Sequence, residues 1–232
     1  MSSPARSGAL VLVLLTAALL ASCAQEGTSS PGAASPSASV SFGPSPSAAV
    51  SPPASGLFGV ERDPAVPAVP FTLIDQDGER FRFPRDAEGK ATLVYFGYSH
   101  CADVCPGTLA GIAVALRELP ASVRDQVDVL FVTVDPARDT PETIGDYVAL
   151  FSEDFVGLTG SEEDIQTILA SLGLPPATRY DLGGGEYGVG HPAGVLAFTP
   201  DGFAHLEYPF GVTVDMWVHD LQKLVEEGWE ET

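Results

Sequence analysis

Ala91-Thr-Leu-Val-Tyr-Phe-Gly-Tyr-Ser-His-Cys-Ala-Asp-Val-Cys-Pro106 is the stretch of the sequence that says most about the fold. Residues 91–96 form a nearly continuous apolar run rich in β-branched and aromatic side chains, which is typical of a central strand buried on both faces. From Pro106 onward the apolar residues recur at helical spacing until Pro120. The stretch therefore predicts a strand that leads directly into a helix, the repeating unit of an α/β sheet.

Downstream of this unit, strand and helix patterns alternate. Residues 127–134 predict a second buried strand, and residues 156–159 predict a short edge strand. Thr140 and Ser161 are suitable N-cap residues for helices that run to about Phe151 and Leu172. Residues 195–198 and 204–208 flank Pro200-Asp-Gly202 and predict a hairpin, which an amphipathic helix over 214–227 follows.

Upstream, apolar and polar residues alternate along 71–75 and again along 80–83, as they do in strands. Asp77-Gly78 between them is a turn sequence, so this segment predicts a β-hairpin. The whole pattern predicts an α/β protein with a central mixed sheet, an N-terminal β-hairpin extension and flanking helices. The sequence contains no internal repeat.

Cys101 and Cys105 lie at the predicted strand-to-helix junction, where open α/β sheets place ligand sites. At the start of a helix, side chains four residues apart project from one face with Cβ atoms about 5–6 Å apart, so two sulfurs can share one metal ion. The helix N-terminus favours a thiolate, the form that ligates metals and attacks disulfides. A structural disulfide is the other interpretation, but so short a loop would stabilise the fold little.

Two blocks of the sequence resemble a known family. Tyr95-Phe-Gly-Tyr-Ser-His-Cys-Ala-Asp-Val-Cys-Pro106 is similar to the signature of the Sco/SenC copper chaperones of cytochrome c oxidase assembly. Phe131-Val-Thr-Val-Asp-Pro-Ala-Arg-Asp-Thr-Pro-Glu142 is similar to their second block. The resemblance covers essentially residues 67–228 and implies a thioredoxin-like fold.

The same resemblance implies a copper site. Two cysteines and a downstream histidine bind Cu(I) and Cu(II) in that family, and Cys101, Cys105 and His191 occupy the matching positions. Thiolates select Cu(I), and imidazole helps to hold Cu(II). The implied recipient of the copper is cytochrome c oxidase subunit II or another copper-accepting protein.

The other three histidines are weaker candidates, and the sequence departs from the family pattern at three positions. His100 is the rival ligand, but an extended backbone would turn its side chain away from Cys101. We therefore expect His100 to have a structural role or to support a ligand instead of binding the metal itself. His205 and His219 receive no function. Asp103 is a carboxylate at a helix N-terminus, and a structural role is equally open for Asp135, Arg138 and Asp139. The departures are Ala102 for a proline, Gly190 for an acidic residue, and Pro192 after the histidine.

Three functions use these residues. The first is a copper chaperone, and the second is an exported thiol-disulfide oxidoreductase in which Cys101 and Cys105 form a redox-active pair that reduces the cysteines of the client's copper site. His191 separates the two, because reductase chemistry has no evident use for it. The third, a peroxidase of the same fold, lacks the expected surroundings of the reactive cysteine.

The N-terminal residues predict export and anchoring. Residues 1–22 resemble a signal peptide, with Arg6 before an apolar run too short for a comfortable membrane span. The run ends in Leu20-Ala-Ser-Cys23, which resembles a bacterial lipobox with Cys23 as the lipidated residue; ordinary cleavage with an incidental cysteine is the alternative. We therefore predict a lipoprotein signal peptide (1–22), a disordered Ser/Pro/Ala-rich tether (23–56) and a thioredoxin-like copper-binding domain (57–232) on the extracytoplasmic face of the membrane.

The charge of the chain narrows its partners. Thirty-one acidic residues against 11 basic ones give a formal net charge of −20. Nucleic acid is excluded as a partner, since binding to its phosphates needs a basic surface. Acidity of this size suits a basic or cationic client.

Overall fold

The structure, a computed structural model, describes residues 56–229. The predicted signal peptide, Cys23 and nearly all of the predicted tether lie outside these residues. None of the helices within 56–229 is long and apolar enough to cross a membrane.

Ten strands, five α-helices and one 3-10 turn (Arg85–Ala87) form the secondary structure of the described residues. The strands are β1 (Val60–Pro67), β2 (Phe71–Asp75), β3 (Arg80–Phe83), β4 (Ala91–Gly97), β5 (Val127–Thr133), β6 (Val156–Thr159), β7 (Thr178–Gly183), β8 (Glu186–Gly190), β9 (Val195–Phe198) and β10 (Phe203–Tyr208). The helices are α1 (Val104–Glu118), α2 (Ala121–Arg124), α3 (Pro141–Ala149), α4 (Glu162–Ser171) and α5 (Val214–Glu226).

Within residues 56–229 eight strands form one mixed sheet in the order β1-β10-β9-β4-β5-β6-β2-β3. β4, β5 and β6 run parallel, and the other neighbours in the sheet pair antiparallel. β7 and β8 form a separate two-stranded ribbon. The predicted mixed sheet with its N-terminal hairpin is confirmed, and the hairpin extends the sheet beyond β6.

Alternation along the central strands divides the core between the two faces of the sheet. In β4, every residue is buried; Leu93 and Tyr95 pack with α1 and α5 on one face, while Val94 and Phe96 pack with α4 on the other. Full burial of such side chains stabilises the fold by roughly 1.5–3 kcal/mol each.

The predicted starts of two helices are confirmed as well. Thr140 and Ser161 accept hydrogen bonds from the backbone N–H groups of Thr143 and Asp164.

Two features differ from the sequence prediction. β6 is not an edge strand, because β2 pairs with it through Ile74–Thr159 and Asp75–Leu158. That contact joins segments far apart in the chain, and no local pattern encodes it. β1 and the β7–β8 ribbon were not predicted, since their exposed residues do not alternate as a half-buried strand does.

Candidate metal centre

The two cysteines follow the carboxyl end of β4. Cys101 lies in the loop before α1, where its backbone N–H donates to the carbonyl of Tyr98 (3.1 Å). Cys105 lies in the first turn of α1 and is fully buried, whereas Cys101 is half-buried. The prediction that both cysteines project from the start of one helix is therefore wrong for Cys101, because α1 begins only at Val104. The turn at Tyr98–Cys101 brings the two sulfurs together instead.

His191 reaches the cysteines from the opposite side, directly after β8. The backbone N–H of Val189 donates to the Tyr98 hydroxyl (3.3 Å), which joins the ribbon to the cysteine loop. The imidazole of His191 packs edge-on against the Tyr98 ring, with 5.7 Å between the ring centroids. The bond before Pro192 is trans, as the cis peptide bonds of residues 56–229 precede Pro64 and Pro84.

The structure brings the three sequence-predicted ligands together. The sulfurs of Cys101 and Cys105 and a ring nitrogen of His191 all lie within 4.8 Å of one another. Cys105 Sγ is 3.6 Å from His191 Nε2. Because metal–sulfur bonds are about 2.3 Å long, two ligands of one ion lie at most about 4.6 Å apart. The set thus fits around a single ion with shifts of a few tenths of an ångström.

The orientation of His191 suits it to metal binding. His191 Nδ1 lies 2.9 Å from the carbonyl oxygen of Pro192. A carbonyl oxygen only accepts, so Nδ1 carries the proton and donates it. The Nε2 lone pair then faces Cys105. Such a hydrogen bond at the second ring nitrogen is the usual way in which proteins orient an imidazole ligand.

The two thiols differ in their acidity. A hydrogen bond from the Cys105 thiol, with help from backbone N–H groups, lowers the pKa of Cys101 to about 4 against the opposing effect of burial. The proton shared with Cys101, together with burial, raises the pKa of Cys105. In the metal-free protein Cys101 is therefore a thiolate near neutral pH and Cys105 is a thiol.

We expect this difference to appear in alkylation rates. Because only the thiolate reacts, Cys101 should react with iodoacetamide at a nearly constant rate between about pH 5 and 8, whereas an ordinary thiol with a pKa of about 8.5 reacts roughly tenfold faster for each unit of pH. Peptide mass mapping distinguishes Cys101 from Cys105. The urea-unfolded chain is the control, in which both rates should rise with pH; the same rise in the folded chain would contradict the assignment.

Gly97, the last residue of β4, lets Cys105 approach the strand. A Cβ atom at this position would lie 2.6 Å from Cys105 Sγ and 2.6 Å from Phe131 Cε2. Both distances are below any tolerable contact, so a side chain here would push the sulfur out of the site. Gly97 was not predicted as a site residue, because only the fold brings Cys105 against it.

Asp135 and Asp139 fix the two segments that carry the candidate ligands, the cysteine loop and the ribbon before His191. The buried carboxylate of Asp139 accepts hydrogen bonds from the Ser99 N–H (3.0 Å), the Ser99 hydroxyl and the Thr133 hydroxyl (2.6 Å), which fixes the segment before Cys101. The buried carboxylate of Asp135 pairs with Arg138 and accepts from the Tyr187 hydroxyl at 2.9 Å, which fixes the ribbon before His191.

Arg138 adds a second contact to the ribbon, donating to the Tyr187 carbonyl (3.2 Å) and lying 3.8 Å above its ring. Tyr187 is a positioning residue that sequence analysis missed, because only the fold brings it to Asp135.

The other candidates lie outside the ligand set. His100 is half-exposed, and its Nδ1 lies 2.9 Å from the Ser99 hydroxyl, which agrees with the expected structural role. Asp103 is the N-cap residue of α1, but its side chain makes no capping hydrogen bond. His205 contacts Asp201, and His219 contacts Asp220.

Comparison with known proteins gives consistent matches. The family model described as SCO1/SenC matches residues 60–226. An SCO2-like protein of Rickettsia prowazekii is 39% identical over 116 residues, which cover 50% of this chain and 56% of that protein. The SCO1 homologue of human mitochondria is 34% identical over 134 residues, 57% of this chain and 44% of that protein. The chain thus spans about half the length of these relatives.

Solved structures agree in fold. ScoI of Bradyrhizobium japonicum with copper bound is 32% identical, with a TM-score of 0.59 over 67% of this chain and 98% of that one. Apo Sco1 of Thermus thermophilus is 33% identical, with a TM-score of 0.64 over 72% of this chain and 96% of that one.

Fold and site together define a thioredoxin-fold protein with a candidate Cys–Cys–His metal centre at the carboxyl end of β4. The chain belongs to the SCO1/SenC family.

Proposed function

We propose that the protein binds one copper ion through Cys101, Cys105 and His191 and passes it to the copper centre of cytochrome c oxidase subunit II. The observation that carries the proposal is the convergence of two sulfurs and an oriented imidazole nitrogen within 4.8 Å. Two thiolates suit Cu(I), and the added imidazole suits Cu(II), so this donor set accommodates both oxidation states. Relatives with copper bound, such as ScoI of Bradyrhizobium japonicum, support the choice of metal.

The proposed location is the extracytoplasmic face of the membrane, with a lipid on Cys23. The apolar run that ends at Cys23 supports the anchor, because two acyl chains hold a protein stably on a bilayer. Family membership supports the oxidase as the client. The net charge of −20 favours a client with a basic surface around its copper ligands.

A second function, reduction of the client's disulfide, is favoured by the different acidities of the two thiols. Cys101 is half-exposed and its pKa is lowered to about 4, as an attacking thiolate requires. In this reaction the Cys101 sulfur bonds to one client sulfur and displaces the other as a thiolate. Cys105 then loses its proton and attacks Cys101, which releases the second client thiol and leaves a Cys101–Cys105 disulfide.

Copper loading and transfer test the first function against the second. The full chain, reduced and metal-free, is loaded with one equivalent of copper and freed of excess metal. We expect one copper per chain by elemental analysis and a thiolate-to-Cu(II) absorption band. The loaded protein is then mixed with the metal-free soluble domain of cytochrome c oxidase subunit II from the same organism, and the copper content of each protein is measured after separation.

Copper recovered on the oxidase domain would support delivery. Copper that stays on the chain would support binding and contradict delivery to this client. A chain that retains no copper, but whose Cys101–Cys105 disulfide forms and is reduced readily, would favour the reductase.

A further inference from the structure

Tyr95 contacts the candidate site from inside the protein. It belongs to β4 and is fully buried, and its hydroxyl donates to Cys105 Sγ at 3.6 Å. The ring lies beside those of Phe131 and His191, with centroids 5.7 Å and 6.4 Å away. Tyr95 is therefore a neighbour of the buried sulfur rather than of the half-exposed sulfur of Cys101.

Two further hydroxyls lie in the same region without partners. The buried oxygens of Thr108 and Tyr147 have no hydrogen-bond partner among the residues that the structure describes. Thr108 follows Cys105 by three positions on α1, so both side chains lie on the same helix face. The Tyr147 ring lies 5.4 Å from that of Phe131. Phe131 Cε2 and Cys105 Sγ each lie 2.6 Å from the position that a Cβ atom of Gly97 would take, so Phe131 separates the Tyr147 ring from the buried sulfur.

Unpaired buried hydroxyls need a reason, because leaving such a donor unsatisfied is unfavourable. The thiol of metal-free Cys105 is a weak acceptor. When a metal ion replaces its proton, the same sulfur becomes a thiolate, which attracts hydroxyl donors much more strongly. The Tyr95 hydroxyl at this buried sulfur, with two unpaired hydroxyls in the same region, thus suits the metal-bound form of Cys105 better than its metal-free form.

We propose that Tyr95 is a positioning residue that shifts the bound copper toward Cu(I) by hydrogen bonding to the Cys105 sulfur. This inference rests on the proposed copper site. A donated hydrogen bond draws electron density from the sulfur and weakens its donation to the metal. Cu(II) depends on that donation more than Cu(I), and hydrogen bonding around a cysteine sulfur is an established means of tuning copper potentials.

The test is Tyr95→Phe, which removes the hydroxyl and keeps the ring. Full-length wild-type and variant chains are loaded with Cu(II), and their visible spectra and Cu(II)/Cu(I) reduction potentials are compared. Without the hydrogen bond, we expect the thiolate-to-Cu(II) band at longer wavelength. We also expect the ratio of Cu(II) to Cu(I) affinity to rise about tenfold, which corresponds to a potential about 59 mV lower.

Two more variants separate hydrogen bonding from a change in packing. Tyr147→Phe should move the band less than Tyr95→Phe does, because Phe131 separates the Tyr147 ring from the sulfur. The stability of the metal-free chain should stay constant or rise in this variant, because an unpaired buried hydroxyl is lost. Tyr180→Phe, at an exposed tyrosine of the ribbon, should change neither the band nor the potential.

A Tyr95→Phe protein that holds copper with the wild-type band and potential would overturn the inference and leave the copper site intact. A wild-type chain that holds no copper would overturn the proposed function, and this inference with it.

Discussion

His191→Ala is expected to abolish retention of Cu(II) while Cu(I) stays bound. Cu(I) is satisfied by the two thiolates of Cys101 and Cys105, whereas Cu(II) needs the imidazole nitrogen. Because His191 would be a ligand itself, the loss of Cu(II) affinity should exceed the roughly 10- to 100-fold that removal of a ligand's outer partner typically costs. Equilibrium dialysis against a Cu(II) chelator measures the loss, and a Cu(I) chelator under anaerobic reduction measures the retained affinity.

His100→Ala is the matched control for this variant. His100 is beside Cys101 in the chain, but its ring faces Ser99 and Asp139 instead of the ligand set. The control should therefore bind Cu(II) as the wild type does. Retention of Cu(II) by His191→Ala together with its loss in His100→Ala would exchange the roles of the two histidines.

The part of the site around the cysteines was predictable because its signals are local. An apolar run with β propensity specifies β4, the helical spacing after Pro106 specifies α1, and the cysteines lie between them. The N-caps at Thr140 and Ser161 are also local, since each side chain binds a backbone N–H three residues later.

The position of His191 was not predictable from the residues around it. The ribbon that carries it has an outer strand, β7, whose residues are all exposed, so burial leaves no alternating pattern there. Long-range contacts hold the ribbon in place, chiefly Tyr187 with Asp135 and Val189 with Tyr98. The resemblance to the Sco/SenC motifs supplied His191, and the geometry then placed it beside the cysteines.

The tyrosine hydroxyls near Cys105 were not predictable for the same reason. Tyr95 and Tyr147 belong to elements whose sequence patterns predict ordinary core residues. Their polar character at this site arises only when β4, α1 and α3 pack together around one sulfur.

Asp139→Ala is expected to destabilise the fold by about 3 kcal/mol, because it leaves the half-buried donors of Ser99 and the buried hydroxyl of Thr133 without their acceptor. Each donor that finds no substitute costs roughly 1–3 kcal/mol. Urea denaturation of the metal-free chain, followed by circular dichroism, measures the free energy of unfolding. Asp139→Asn should lose less, since its amide oxygen still accepts one of these bonds.

Asp128→Ala is the control for the loss of a carboxylate. Asp128 makes a partly exposed ion pair with Lys90 (2.9 Å), so its loss should cost at most about 1 kcal/mol.

The hydrogen bonds of Asp139 also predict an effect on copper affinity. Asp139 holds Ser99, two residues before Cys101, so its loss should weaken copper binding by roughly 10- to 100-fold, as loss of an outer-shell partner does. Equal unfolding midpoints for the two alanine variants, with unchanged copper affinity, would mean that Asp139 does not hold the cysteine loop.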